Sequence, residues 1–246
     1  MSNYRFCKQV LPSTGNAVLT SVVAHHKNIV VPVSSIQSAV PVLDNQCTAL
    51  YFSISTFPDG VITQVSGRTI DHVHAVRSFI ADVDCGKPGA YATPADAMRG
   101  LKTTLLAANL PTPTIVSSGG GFHLYWSMVE DMTVTQWRKV SVLLAAVLNH
   151  RGLLHDRALT VNPVVLLRPP GATHRKDPSN PRLVVVKHLA EPIPVLEFAK
   201  RLMAYVSAKG ISVNQPTTVQ AHAAITLDLG FPLPVSKFEH EALVEP

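Results

Sequence analysis

Asp82 and Asp84 stand at the end of the apolar run Ser78-Phe-Ile-Ala-Asp-Val-Asp-Cys85. In a strand, residues i and i+2 project from the same face, so the two carboxylates are brought together. Like charges so placed repel unless a cation lies between them, and hard carboxylate oxygens suit Mg²⁺ or Mn²⁺. Taken alone, Asp-x-Asp reads as a strand running out into a polar turn. The residues that follow shift the reading. Ser117-Ser-Gly-Gly-Gly-Phe leads into His123, and the backbone N–H groups of such a stretch (Ser118, Gly119, Gly120, Gly121) can cradle phosphate. Asp156 adds a third acid. Arg168, Arg175 and Lys176 close a later strand with cations, as an anion clamp for a triphosphate or a nucleic-acid backbone would require.

Periodicity supplies the elements that must hold these groups. Residues 79–84 read as a strand. Thr93, Pro94 and Asp96 open a helix as N-cap, first-turn proline and dipole-complementing acid, with Ala97, Met98, Leu101, Leu105 and Leu106 on one face up to Pro111. Residues 114–116 and 122–126 read as strands. Val134, Trp137, Val140, Leu144, Val147 and Leu148 mark a second helix, closed near Gly152. Strands at 164–168 and 183–187 and a helix at 194–208 follow. From 79 to 168 the order is β-α-β-β-α-β, the ferredoxin-like or RRM-like unit. Its first and third strands should lie side by side with both helices on one face. Phe79, Ala81, Val83, Phe122, Leu124 and Trp126 then face the helices. Asp82, Asp84, His123 and Tyr125 share the opposite face, expected to be an open sheet surface.

The fold class expected is therefore α+β. An N-terminal α/β lobe (1–75) is expected to pack beside the RRM-like unit with its flanking strand and helix (76–210). Residues 211–246 are expected to form a Pro-rich tail, either a linker or a surface arm. With 46% hydrophobic and 15% charged residues the 246-residue chain reads as globular. A formal charge of +5 is compatible with a polyanion partner without demanding one. The cysteines, Cys7, Cys47 and Cys85, are odd in number and lack a Cys-x-x-Cys pair, so a reducing cytosol fits better than a disulfide framework or zinc ribbon. No apolar run reaches the ~20 residues that span a bilayer. A Gly-Lys-Ser/Thr phosphate loop is missing, which excludes that class of ATPase or helicase.

The combined set Asp82-x-Asp84, Ser118-Gly-Gly-Gly-Phe-His123-Leu-Tyr-Trp126, Asp156 and Leu167-Arg-Pro-Pro-Gly-Ala-Thr-His-Arg-Lys176 resembles the archaeo-eukaryotic primase superfamily, and within it the primase-polymerases of phages and plasmids. The likeness covers residues 76–190. It departs from the family at residues 170–176, where the loop has an extra residue and lacks an Asn, and at Gly121, where some members carry Ser. The resemblance implies two-metal nucleotidyl transfer on a single-stranded DNA template, from NTPs or dNTPs, in primer synthesis or extension. It implies that Asp82, Asp84 and Asp156 hold two Mg²⁺ or Mn²⁺ ions, and that His123, Ser118, Gly119–Gly121, Arg168 and Lys176 contact the nucleotide. A replicative helicase is the protein partner it suggests, and the host cell's cytoplasm the location. Tyr125 is a candidate gate against the 2′-hydroxyl. Three rivals stand beside this reading. One is a non-catalytic RNA-binding module. A second is a replication initiator that binds DNA through the same fold. The third is a rolling-circle nickase using His72-Val-His74 with Tyr91 or Tyr125. Trp126 and Trp137 are expected in the core; His25, His26, His150 and His188 are expected as surface or satisfied residues.

Overall fold

The computed structural model describes residues 2–213. Helix α1 (Ser2–Val10) precedes the hairpin β1 (Asn16–Val22) and β2 (His26–Pro32), followed by α2 (Ile36–Asp44) and β3 (Ala49–Phe57). Next come β4 (Ala75–Asp84), α3 (Pro94–Ala108), β5 (Thr114–Ser117), β6 (Gly121–Met132) and α4 (Val134–His150). The last part holds α5 (Arg157–Thr160), β7 (Leu166–Leu167), β8 (Thr173–His174), β9 (Arg182–Leu183), β10 (Val185–His188) and α6 (Val195–Ala208). One antiparallel sheet runs in the order β10-β5-β6-β4-β3-β1-β2, with β7 also paired to β3; β8 and β9 form a separate ribbon. The fold is α+β. The sheet continues across residues 75 and 76, because β4 pairs directly with β3.

The core forms on both faces of β4. Phe79 stacks on Trp137 of α4 and on Phe198 of α6, with ring centroids 5.9 and 5.4 Å apart, and Trp126 stacks on Phe198 at 6.1 Å. Each buried indole N–H has a carbonyl acceptor, Ser78 for Trp137 and Pro111 for Trp126. On the other face Phe6 of α1 meets Tyr125 edge-on at 5.1 Å and Phe52 at 6.2 Å. That contact corrects the expectation of an open sheet surface. Tyr125 is fully buried and His123 is 3% exposed, and the polar face opens only toward the ends of β4 at Asp82 and Asp84. Alternation showed which side chains share a face but not that an amphipathic helix lay across it.

The strand expected at 164–168 is reduced to Leu166–Leu167 and pairs with Phe52 and Ser53 of β3 rather than with β4. Pro163 on one side and Pro169-Pro170 on the other lack N–H donors and bracket the run, which limits its ladder. The helix starts follow their caps. Thr93 accepts from Asp96 N, and Thr133 forms a reciprocal capping box with Gln136. Loss of the Thr133 hydroxyl in Thr133→Ala is expected to lower stability by about 1 kcal/mol, read by urea unfolding, with no change at the site. Leu106, placed on the apolar face by its spacing, is instead 73% exposed. Trp126 and Trp137 lie in the core, and His25, His26, His150 and His188 at the surface, as expected. No described helix is long and apolar enough to cross a membrane.

Candidate active site

Asp82 sits opposite His123 in the β4–β6 register, and Asp84 opposite Gly121. A Cβ on Gly121 would lie 2.0 Å from the Val83 carbonyl oxygen, so only glycine lets the two strands close there. The closure brings His123 Nε2 to 3.8 Å from Asp82 Oδ1, while the Tyr125 hydroxyl lies 3.4 Å from His123 Nδ1. Burial, reinforced by the nearby charges of Arg168 and His174, holds His123 down to about 3, so its ring is neutral with one N–H donor. Asp82 is pushed up to about 7, first by burial and then by the charges of Asp84 and Asp156. A carboxyl under that pressure is a position where a cation lowers the energy of the site.

Asp156 enters through its backbone: its N–H donates to the Asp82 carbonyl at 2.9 Å. Its carboxylate caps α5, accepting from Leu159 N at 3.1 Å. Asp84 carries an ion pair with Lys87. No group of three His, Cys, Asp or Glu side chains among the described residues is assembled to hold a metal ion. The donor set still suits Mg²⁺ or Mn²⁺ in chemistry. Such ions are commonly held by one or two carboxylates and completed by substrate phosphates rather than by an all-protein cage.

A wall of anion-binding groups lies beside the acids, and the charge of its Arg168 reaches Asp82. The glycine turn is closed by Ser118 N donating to Gly121 O at 3.0 Å and by Cys85 N donating to Gly120 O at 2.9 Å. Ser118 is buried in it. Gly119 packs against His174 so closely that a Cβ would lie 2.6 Å from that residue's own Cβ. Arg168 lies over the Tyr51 ring, its Cζ 5.1 Å from the centroid, and donates from Nη2 to the Tyr51 hydroxyl at 3.3 Å. Arg168 Nε and His174 Nδ1 are buried without a hydrogen-bond partner among the described residues. Lys176 is exposed just beyond β8, and its charge reaches His174.

Arg175 does not join this wall. Its guanidinium grips both oxygens of buried Asp44 at 2.9 and 2.7 Å, and Asp44 also accepts from Thr173 N. The sequence placed Arg175 among the anion clamp because its partner, at the end of α2, is 131 residues away. Tyr125 is no gate against a 2′-hydroxyl, being sealed under Phe6. The nickase arrangement is not assembled either. His72 Nδ1 is tied to the Gly67 carbonyl and His74 Nε2 to Thr14, while the Tyr91 hydroxyl accepts from Leu154 N. Four contributors were missed in the sequence: Tyr51, Lys87, His174 and Asp44. His174 stood inside the motif Leu167–Lys176 with no role assigned to it. Nothing local marked the other three.

No protein-family profile and no curated protein matches the chain. Solved structures do. The AEP domain of the Cyanophage S-2L primase-polymerase aligns with a TM-score of 0.57 at 15% identity, over 82% of this chain and 97% of that one. The catalytic domain of the primase RepB′, solved in complex with initiator DNA, aligns at 0.51 and 9% identity, over 85% and 97%. A second structure of primase RepB′ aligns at 0.51 and 10% identity over 85% of this chain, which spans 64% of that one.

Proposed function

Starting from a chain with the archaeo-eukaryotic primase-type fold, we propose that it carries out template-directed nucleotidyl transfer on single-stranded DNA, making or extending a primer from NTPs or dNTPs. The observation that carries this reading is that paired carboxylates and anion-binding groups form the two sides of one site. Asp82 and Asp84 stand on one side, and Arg168, His123, His174 and the glycine turn on the other. An anionic nucleotide bound with divalent cations matches both sides at once. An RNA-binding module would instead need the first strand to tolerate a bare phosphate backbone, which two carboxylates repel.

Asp82, Asp84 and Asp156 are the residues to hold two Mg²⁺ or Mn²⁺ ions. Bound there, the ions supply charge that lowers the pKa of an attacking 3′-hydroxyl and offsets charge on the triphosphate and departing pyrophosphate. The chain's own residues position the substrate. Neutral His123 donates its N–H to a phosphate oxygen. Arg168, held on Tyr51, brings guanidinium charge to the triphosphate. Lys176 adds charge from the loop, and the backbone of Ser118–Gly121 lines the phosphate path. In this reading the elements β4-α3-β5-β6-α4-β7 form the RRM-like unit, with its last strand cut short by prolines. Residues 76–210 carry catalysis and residues 1–75 extend the sheet and supply Tyr51. Residues 211–246, expected to form a tail or linker, lie almost wholly outside the described residues. Replication of phage or plasmid DNA in a host cell's cytoplasm, beside a replicative helicase, is the setting this activity fits.

Extension of a labelled primer on single-stranded DNA, with Mg²⁺ or Mn²⁺ and with NTPs and dNTPs in separate reactions, tests the proposal. Metal-dependent product supports it. DNA binding without product favours the initiator. Arg168→Ala is expected to lower kcat/KM for the nucleotide on the order of 100-fold, since a charge-assisted donor to the triphosphate is removed. Tyr51→Ala, which frees Arg168 without deleting it, is expected to lower it about tenfold. Steady-state kinetics with saturating template checks both.

A further inference from the structure

The Lys87 side chain is held out over the acids by a turn that is anchored at its base. Gly86 N donates to Tyr91 O at 2.8 Å, and Tyr91 N to Asp84 O at 3.3 Å. Ala90 N closes the turn on Lys87 O at 3.1 Å. Tyr91 is pinned in turn: its hydroxyl accepts from Leu154 N, and its ring lies against Gly100, where a Cβ would come within 2.4 Å of the hydroxyl oxygen. Leu154 lies just before Asp156, whose own N–H is bonded to Asp82. The turn and the three acids are thus tied into one frame, with the ammonium of Lys87 directly on Asp84. Its charge is also felt at Asp82, which it draws down against the opposing push of Asp84 and Asp156.

We propose that Lys87 is a built-in counter-ion that occupies Asp84 and competes with the divalent cation for it. This rests on the carboxylate–cation reading of the site given above. Binding of a divalent ion through Asp84 has to displace the ammonium. The lysine therefore weakens metal loading of the substrate-free protein and leaves it to the arriving triphosphate, whose oxygens complete the ion's shell, to tip the balance. Lys87 is more than half exposed, so the displaced side chain can enter water without unfolding the turn.

The test is Mn²⁺ binding to the whole chain without nucleotide or DNA, read as loss of the free-ion electron paramagnetic resonance signal. Lys87→Met is expected to bind Mn²⁺ about two- to fivefold more tightly than wild type, the range expected when a partly exposed ion pair no longer competes. Lys87→Arg, which keeps the charge, should bind like wild type. Equal or weaker binding by Lys87→Met overturns the proposal. Asp82→Asn separates the two readings: if it binds Mn²⁺ as well as wild type does, the carboxylates are not the metal site and both readings fall. If it loses Mn²⁺ while Lys87→Met gains none, only the role of Lys87 falls.

Discussion

Asp82→Asn is expected to give a protein that is more stable than the wild type without metal and transfers no nucleotides. The two effects share one cause. Asp82 is mostly buried and pressed by Asp84 and Asp156, which together push its carboxyl up to about 7. A folded-state value above the unfolded one means that the folded protein holds the proton more tightly. The penalty is absent below the ordinary carboxylate range, grows as pH rises toward 7, and is fully present above it. In the presence of a chelator, urea unfolding of the wild type should therefore show stability falling between about pH 4 and pH 7 from this group, a slope missing in Asp82→Asn. At pH 8 the variant should be more stable by about 1–3 kcal/mol. Mg²⁺ should raise the stability of the wild type and leave the variant unmoved, because only a ligand-competent native state gains from the ion. Catalysis should fall on the order of 1000-fold or more, while affinity for single-stranded DNA, dominated by phosphate contacts elsewhere, changes little.

Asp44→Ala is expected to destabilise the protein by about 2–4 kcal/mol. Asp44 is 4% exposed and accepts from three donors: both terminal nitrogens of Arg175 and the Thr173 N–H. Its removal strands a guanidinium and a backbone N–H at the base of the loop that carries His174 and Lys176. The loop's partial access to water keeps the loss below that of a fully buried pair. The destabilisation, read from the midpoint of urea unfolding, should be accompanied by loss of nucleotide affinity as the loop comes away from the glycine turn. Arg175→Ala should repeat the stability loss, which separates it from Arg168→Ala, whose main effect is on kcat/KM. If Arg175→Ala weakens nucleotide binding with no loss of stability, Arg175 belongs with the anion clamp after all.

The acids were legible because an apolar strand that ends in Asp-x-Asp is a local pattern, and alternation put His123 on the same face as the acids. The direct Asp82–His123 pairing is set by the β4–β6 register, which alternation does not fix. What alternation does not carry is cover. The same spacing that put Tyr125 on the polar face left it for α1 to bury, through a contact between Phe6 and Tyr125 that no local pattern encodes. Cations were legible as a cluster but not as individuals. Arg168 and Arg175 look alike in sequence, yet one lies on Tyr51, 117 residues away, and the other grips Asp44 at similar range. Their separate roles depend on α2 and β3 meeting the loop in space. The shortened β7 was signalled by its flanking prolines, although the run of Val164, Val165, Leu166 and Leu167 suggested a longer strand.

The central claim is tested most directly by nucleotide incorporation on single-stranded DNA, wild type beside Asp82→Asn, with Mg²⁺ or Mn²⁺ and with a chelator. Labelled product that requires the ion and disappears in the variant is the result this account predicts. A wild-type protein that binds DNA but yields no product with either ion and either class of nucleotide would contradict it.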